Sequence, residues 1–123
     1  MYILPEPVRK IYNETLRAIS TQLSILAGVG LRTLLEIICK DRQAAGKTLF
    51  EQIDDLVSQQ ILTPASAAIL HNIRTLGNSA AHEAMPLDDR QMKFAFDIVE
   101  HLLKEVYIFP KQAEESLAKP FGF

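Results

Sequence analysis

The sequence has few of the features that direct a chain to a membrane, to secretion or to a disulfide-bonded fold. It contains one cysteine and no tryptophan in 123 residues, which excludes an internal disulfide framework and a cysteine-based zinc site. No apolar run reaches the roughly 18 residues of a membrane span, and the N-terminus lacks a signal-peptide pattern. We therefore expect a cytoplasmic protein that does not contact membranes.

An excess of charge of either sign is also missing. The chain has 13 Lys and Arg against 15 Asp and Glu, a net charge of -2, which excludes an extended basic coat for nucleic acid but not a local basic patch. With 48% hydrophobic and 23% charged residues, the composition is that of a folded domain rather than a disordered chain. We assign residues 1–110 to one helical domain and residues 111–123 to a C-terminal tail.

What the sequence does contain is helical periodicity. Apolar residues recur at steps of three and four over residues 7–20, and again in a second helix that follows. A break at Ser20 separates the two helices, although one uninterrupted helix over residues 7–41 is the alternative. Gly28 and Gly30 inside the second helix indicate either close backbone packing or a kink.

Caps and prolines mark the remaining helices. Three later segments have a capping or N-terminal residue before an apolar run: Thr48 with Glu51, Thr63 with Pro64, and Asp88 with Asp89. Pro86 is expected to end the fourth helix, and Pro110 the fifth. Since no segment shows the alternation of a strand, we predict an all-α fold, a four- to five-helix bundle with antiparallel neighbours.

No motif for a metal or a cofactor is complete. The three histidines, His71, His82 and His101, have no carboxylate at a convincing metal-ligand spacing. The segment before Thr48 resembles the end of a phosphate-binding loop but lacks its leading glycine and its preceding strand. We therefore predict a domain that binds neither a metal nor a cofactor.

The fourth helix carries the one arrangement that points to a function. At about 100° per residue, one face of this helix is apolar and the opposite face is polar. The polar side chains are those of His71, Arg74, Asn78 and His82. The last three are successive i, i+4 neighbours, so their side chains can touch or share one ligand. Gly77 and the small residues after it leave a low surface that a partner helix or an RNA backbone could approach.

A polar face opposite a core face is also what an ordinary surface helix shows, and spacing alone favours that explanation. In that case Arg74 pairs with Glu36 or another carboxylate, while Asn78 and His82 cap or cross-link neighbouring helices. Choosing between the two explanations requires more than periodicity.

The segment from Leu70 to Glu83 resembles the signature of a bacterial family of unknown function. That family occurs in restriction-endonuclease-associated and other mobile-defence proteins. Weaker similarity continues upstream, over residues 27–36 and 48–53, so the resemblance covers about residues 24–110. The family is similar to the HEPN superfamily, the higher eukaryote and prokaryote nucleotide-binding domains. This implies a bundle of four or five helices that dimerises.

The resemblance also implies a site and a reaction. Many superfamily members are metal-independent endoribonucleases of toxin–antitoxin, CRISPR and abortive-infection systems, with two active motifs that meet across the dimer. The motif is an Arg, a polar residue, three variable residues and a His. Asn78 and His82 match the polar residue and the His, but Gly77 stands at the Arg position. Arg74, one turn earlier on the same face, is our candidate for that role.

Two functions remain open from the sequence. In the first, a homodimer binds or cleaves RNA: His82 acts as general base or acid, Arg74 stabilises the phosphorane, and Asn78 positions the phosphate. In the second, which Gly77 favours, a non-catalytic module dimerises or docks an antitoxin or a neighbouring effector domain. An unrelated helical adaptor is a third, weaker alternative. Binding roles are assigned to Arg32, Glu36, Gly77 and His71.

Overall fold

The computed structural model describes residues 4–118, and every regular element in this range is helical. The five main helices are α1 (Glu6–Ser20), α2 (Ser24–Asp41), α3 (Leu49–Ser58), α4 (Pro64–Glu83) and α5 (Asp89–Leu103). A helical extension follows, made of a π-helical stretch (Lys104–Ile108), the short α6 (Phe109–Ala113) and a second π-helical stretch (Glu114–Ala118). The all-α prediction is therefore confirmed over these residues.

Helix α2 forms the centre of the bundle. It packs against α1 on one side and α4 on the other, and α3 and α5 also contact it. Its apolar residues occupy most of its circumference, as expected for a helix with neighbours on several sides. Those that are fully buried include Leu31, Leu34, Leu35 and Ile38. This central position matters for the site, because α2 also carries polar side chains toward α4.

The structure places two helices, not one, over residues 7–41. Helix α1 ends at Ser20, and Gln22 then adopts a left-handed backbone with φ of 58° before α2 begins. The chain reverses there, so α1 and α2 run side by side. The prediction of two antiparallel helices is confirmed, and the alternative of a continuous rod is wrong.

The two glycines of α2 are sites of close helix packing. A Cβ on Gly28 would lie 2.7 Å from the Cβ of Ala80 on α4, and a Cβ on Gly30 would lie 2.5 Å from Thr15 Oγ1 on α1. The helix itself is unbroken from Ser24 to Asp41. Of the two alternatives left open by the sequence, close packing is therefore the one that the structure shows.

Side-chain caps begin three helices, and those at Thr48 and Thr63 are the ones that the sequence predicted. Thr48 forms a capping box with Glu51, and Asp88 forms one with Gln91. The side chain of Thr63 accepts a hydrogen bond from the backbone N–H of Ser66 at 3.1 Å. These bonds satisfy backbone donors that a helix N-terminus would otherwise leave unpaired.

The prediction that Pro110 ends the last helix is wrong. Helical backbone continues from α5 through Pro110 to Ala118. A proline inside a regular α-helix removes one hydrogen bond and its ring clashes with the carbonyl four residues earlier. Here the π-helical stretch that ends at Ile108 changes the hydrogen-bond pattern just before the proline. Pro110 then lies in the first turn of α6, where a proline is tolerated. The segment Pro120–Phe123, the end of the predicted C-terminal tail, lies outside the described residues.

Cys39 is a buried core residue with 2% of its surface exposed. Burial, with a smaller effect of the Glu36 carboxylate, raises the pKa of the Cys39 thiol to about 12. The reactive thiolate is therefore scarce at neutral pH. This makes Cys39 a packing residue rather than a nucleophile.

A hydrogen bond between α1 and α5 makes the free energy of unfolding decrease at high pH. The Tyr12 hydroxyl donates to Glu100 Oε2 at 2.8 Å, and the Tyr12 ring stacks on Phe96. Burial, followed by the Glu100 carboxylate, raises the pKa of Tyr12 to about 12. Since an unfolded tyrosine has a pKa of about 10, this stabilisation is complete below pH 10 and is lost as the pH rises through about 12.

We expect Tyr12→Phe to flatten the fall in the free energy of unfolding between about pH 10 and 12. Urea denaturation at a series of pH values measures this slope. The fall should shrink rather than vanish, because Tyr107 donates to Asp41 at 2.6 Å and its pKa is also raised, chiefly by burial. A slope that is identical in the wild type and the variant would contradict the role of Tyr12.

Candidate functional site

The polar side chains of α4 contact two different neighbouring helices. Asn78 contacts α2, whereas His71 and Arg74 contact α3. The face predicted as one row is therefore divided into two clusters, which we name after their arginines. His82, at the end of α4, belongs to neither of them.

The Arg32 cluster consists of Arg32, Glu36 and Asn78. Arg32 Nε donates a hydrogen bond to Asn78 Oδ1, which joins α2 to α4. Arg32 Nη1 donates to Glu36 Oε1 at 2.6 Å, an ion pair between residues one turn apart on α2. The Arg32 side chain is 27% exposed, and its Nη2 donates to no group within residues 4–118. No protein group among the described residues therefore competes for this nitrogen.

Gly77 allows Arg32 to reach Asn78. A Cβ at position 77 would lie 2.5 Å from the Cβ of Arg32 and 3.0 Å from the carbonyl oxygen of Gly28. The low surface predicted at Gly77 does exist, but α2 of the same chain occupies it. Gly77 is buried. It packs against the Cβ of Arg32 and does not face a partner or an RNA backbone directly.

The Arg74 cluster consists of Phe50, Asp54, His71 and Arg74. The guanidinium carbon of Arg74 lies 5.3 Å from the centroid of the Phe50 ring, within the range of a cation–π interaction. The His71 ring stacks on the same phenyl ring at 4.4 Å, and His71 Nε2 lies 2.8 Å from Asp54 Oδ1. Glu36 pairs with Arg32, so the alternative pairing of Glu36 with Arg74 is wrong.

Two buried nitrogens of the Arg74 cluster have no partner among the described residues. They are Arg74 Nε and His71 Nδ1. Buried polar groups are normally hydrogen-bonded to protein or to ordered water.

His82 occupies the last turn of α4, one turn beyond Asn78. Its side chain is exposed, and neither ring nitrogen makes a hydrogen bond to a residue within 4–118. The helix ends just after it, because Ala84 adopts a left-handed backbone with φ of 52° and caps the carbonyl of Ser79. The imidazole is therefore free to exchange a proton with a ligand.

No hydrogen bond joins Arg74, Asn78 and His82 to one another within the described chain. Arg74 and His82 are eight positions apart, which corresponds to about 12 Å along a helix axis. Asn78, halfway between them, holds the guanidinium of Arg32. Asn78 therefore places the guanidinium of Arg32, a residue to which the sequence assigned only a binding role, one turn before His82.

Phe50 and Asp54 are the members of the site that sequence reasoning missed. Both lie on α3, away from its core-facing residues Leu49, Ile53 and Leu56. One signal was available, because a large apolar residue beside a capping residue and off the apolar face calls for an explanation. Its contacts with α4, however, depend on how the helices pack.

The described residues hold neither a metal-ligand cluster nor a membrane span. Within residues 4–118, no three side chains among His, Cys, Asp and Glu lie close enough together to bind a metal ion. None of the helices in this range combines the length and the apolar composition needed to cross a bilayer.

One protein family matches the chain. It is described as a domain of unknown function, DUF4145, and its model covers residues 13–119. The match includes both clusters and His82, and it confirms the prediction of an uncharacterised domain family. No curated protein and no solved structure matches the chain.

Proposed function

We propose that this chain, which belongs to the DUF4145 family, is a HEPN-like RNA-associated domain of a cytoplasmic defence or toxin-type system. In this proposal the outer face of α4 binds RNA and cuts it without a metal ion. The observation that carries the proposal is the position of Arg32. Asn78 holds its guanidinium one turn before the exposed imidazole of His82.

The side chains present suit a transesterification of RNA. The 2′-hydroxyl attacks the adjacent phosphate, a 2′,3′-cyclic phosphate forms, and the 5′-oxygen of the next nucleotide leaves. His82 either removes the proton from the 2′-oxygen or delivers a proton to the leaving oxygen, both of which imidazole can do near neutral pH. A guanidinium stabilises the negative charge that develops on the phosphorane.

A homodimer would supply both proton-transfer groups. Two copies of the α4 face, brought together by a two-fold axis, provide two His82 side chains, so that one acts as base and the other as acid. The exposed His82 and the Arg32 guanidinium held by Asn78 suit such a composite cleft. One chain alone offers a single exposed imidazole there.

Glu36 limits how strongly the Arg32 cluster attracts RNA. Its carboxylate already accepts a bond from Arg32 Nη1 at 2.6 Å, so an incoming phosphate must use Nη2 or displace the carboxylate. The Glu36 side chain is 42% exposed, and ion pairs at such positions contribute only about 0–1 kcal/mol. Opening this pair therefore costs little compared with binding a phosphate.

Cleavage of a labelled RNA in the presence of EDTA tests the proposed function. We expect products with 2′,3′-cyclic phosphate and 5′-hydroxyl ends, formed at a rate that EDTA does not change, because every reacting group belongs to the protein or the RNA. Cleavage that requires added Mg²⁺, or products with 5′-phosphate ends, would contradict the mechanism.

One observation favours a second function, that of a non-catalytic module which dimerises or docks an antitoxin or effector domain. Gly77 stands at the Arg position of the superfamily motif and lies buried under Arg32. Size-exclusion chromatography with light scattering separates the possibilities when it is combined with the cleavage assay. A dimer that does not cut RNA supports the second function, whereas a clean monomer at micromolar concentration removes the composite cleft.

A further inference from the structure

Phe50 is a large apolar side chain that the protein leaves half exposed. It projects from the first turn of α3, and 49% of its surface is accessible to solvent. The core face of α3 is formed by other residues, so packing of α3 does not require a phenylalanine at this position. The exposed ring therefore calls for a role outside the core.

We infer that Phe50, with Arg74 beside it, forms a stacking subsite for an unpaired base of single-stranded RNA. The inference rests on the proposed function, because it adds a base-binding position to the same RNA-binding surface. The substrate class of that surface is then single-stranded RNA, whose bases are not held in a duplex.

The Phe50 ring has two partners from α4 and keeps accessible surface beside them. His71 stacks on Phe50 at 4.4 Å with an angle of 28° between the planes, and the Arg74 guanidinium lies 5.3 Å from the ring centroid. Both partners come from α4, and 49% of the Phe50 surface remains exposed beside them. A base can stack on the remaining surface, because every base presents a flat π-face to an aromatic side chain.

Arg74 supplies a positive charge next to the ring, and no carboxylate among the described residues neutralises it. Within residues 4–118 it forms no hydrogen bond and no ion pair, and its Nε is buried without a partner. The nearest acidic member of the cluster, Asp54, pairs with His71 instead. An aromatic platform beside a free guanidinium is the combination with which proteins bind single strands, the ring for the base and the cation for the phosphate.

The spacing also connects this subsite with the Arg32 cluster. Arg74 and Asn78 are one helical turn apart, about 6 Å along the axis of α4. A short strand with a base on Phe50 can therefore place a neighbouring phosphate at Arg32 and continue toward His82. In a duplex the bases remain stacked on one another, so only an unpaired strand can use Phe50 in this way.

Fluorescence anisotropy with a short labelled RNA tests the inference. The RNA carries 2′-O-methyl groups, which prevent attack by the 2′-oxygen, and is compared with its duplex and with an abasic strand of equal length. We expect Phe50→Ala to weaken binding of the single strand by about tenfold and to leave binding of the abasic strand unchanged. Phe50→Tyr should keep the wild-type affinity, because it keeps the ring.

Two further variants serve as controls. One removes a different exposed ring, and the other keeps an apolar side chain at position 50 without a ring. Phe94 on α5 is 52% exposed, and the ring partner of His71 and Arg74 is Phe50 instead, so Phe94→Ala should bind like the wild type. Phe50→Leu keeps an apolar side chain without a π-face and should bind as weakly as Phe50→Ala. If Phe50→Leu binds as well as the wild type, apolar contact is sufficient and the stacking subsite is wrong.

The outcomes separate this inference from the proposed function. If the wild type binds single strands and cuts RNA, but Phe50→Ala binds as tightly, the inference fails and the proposed function stands. If the wild type prefers the duplex, the inference also fails. If the wild type binds neither RNA, the proposed function fails and the inference falls with it.

Discussion

We expect His82→Ala to lower the rate of RNA cleavage by about a hundredfold or more, since general acid–base catalysis by one side chain contributes about 10²–10⁴ in rate. In the composite cleft of a homodimer, this single substitution removes both the base and the acid. The protein should remain folded, because the imidazole is exposed and makes no hydrogen bond to the described residues. A change of less than about 1 kcal/mol in the free energy of unfolding is expected.

His101 provides the matched control for His82. Its side chain is 60% exposed and lies on α5, where its Nε2 is 2.9 Å from Glu105 Oε1. It lies beside Ser66 and Leu70 in the first half of α4, whereas His82 is in the last turn. His101→Ala should therefore cut RNA at the wild-type rate. Cleavage time courses in EDTA and urea denaturation of both variants measure the two effects. A loss of several kcal/mol in His82→Ala with cleavage unchanged would show that His82 has a structural role.

The fold was largely predictable because its determinants are local. A capping box needs two residues three positions apart, as at Thr48 and Glu51, and an amphipathic helix needs only a period of three to four. Pro110 shows where a local rule fails. A proline usually ends a helix, but here the π-helical stretch before Pro110 lets the backbone remain helical. The sequence around Pro110 did not predict that change in hydrogen bonding.

The candidate site was less predictable because its partners come from different helices. Spacing along α4 correctly selected a polar face, but it suggested that Arg74 acts with Asn78. The structure joins Asn78 to Arg32 from α2 and places Arg74 on Phe50 from α3. These pairings depend on how closely α2 and α3 approach α4, and periodicity along one helix contains no information about that distance.

The closeness of α2 and α4 links the stability of the bundle to the geometry of the site. Glycines on both helices permit it, Gly28 on α2 and Gly77 on α4. The same contact brings Arg32 over the backbone of α4 and within hydrogen-bonding distance of Asn78. A side chain added at this crossing should therefore disturb packing and the position of the guanidinium together.

We expect Gly77→Ala to destabilise the protein by about 1–2 kcal/mol and Gly77→Val by about 3 kcal/mol or more. Alanine normally stabilises a helix interior by about 1 kcal/mol relative to glycine. Here its Cβ would meet the Cβ of Arg32 at 2.5 Å and the carbonyl oxygen of Gly28 at 3.0 Å. Both atoms are fixed to the backbone of α2, so the two helices must separate and the steric cost exceeds the gain in helix propensity. Urea denaturation measures the change.

Both variants should also bind and cut RNA less well, because Arg32 is moved away from Asn78. Ala81→Gly is the control, since Ala81 is an exposed residue of the same helix. It should lose about 1 kcal/mol through helix propensity alone and keep the wild-type affinity for RNA. Reduced RNA binding in Gly77→Ala but not in Ala81→Gly, at similar stability, assigns the loss to the Arg32 cluster. A Gly77→Ala protein that is more stable than the wild type would mean that α2 and α4 do not touch at this position.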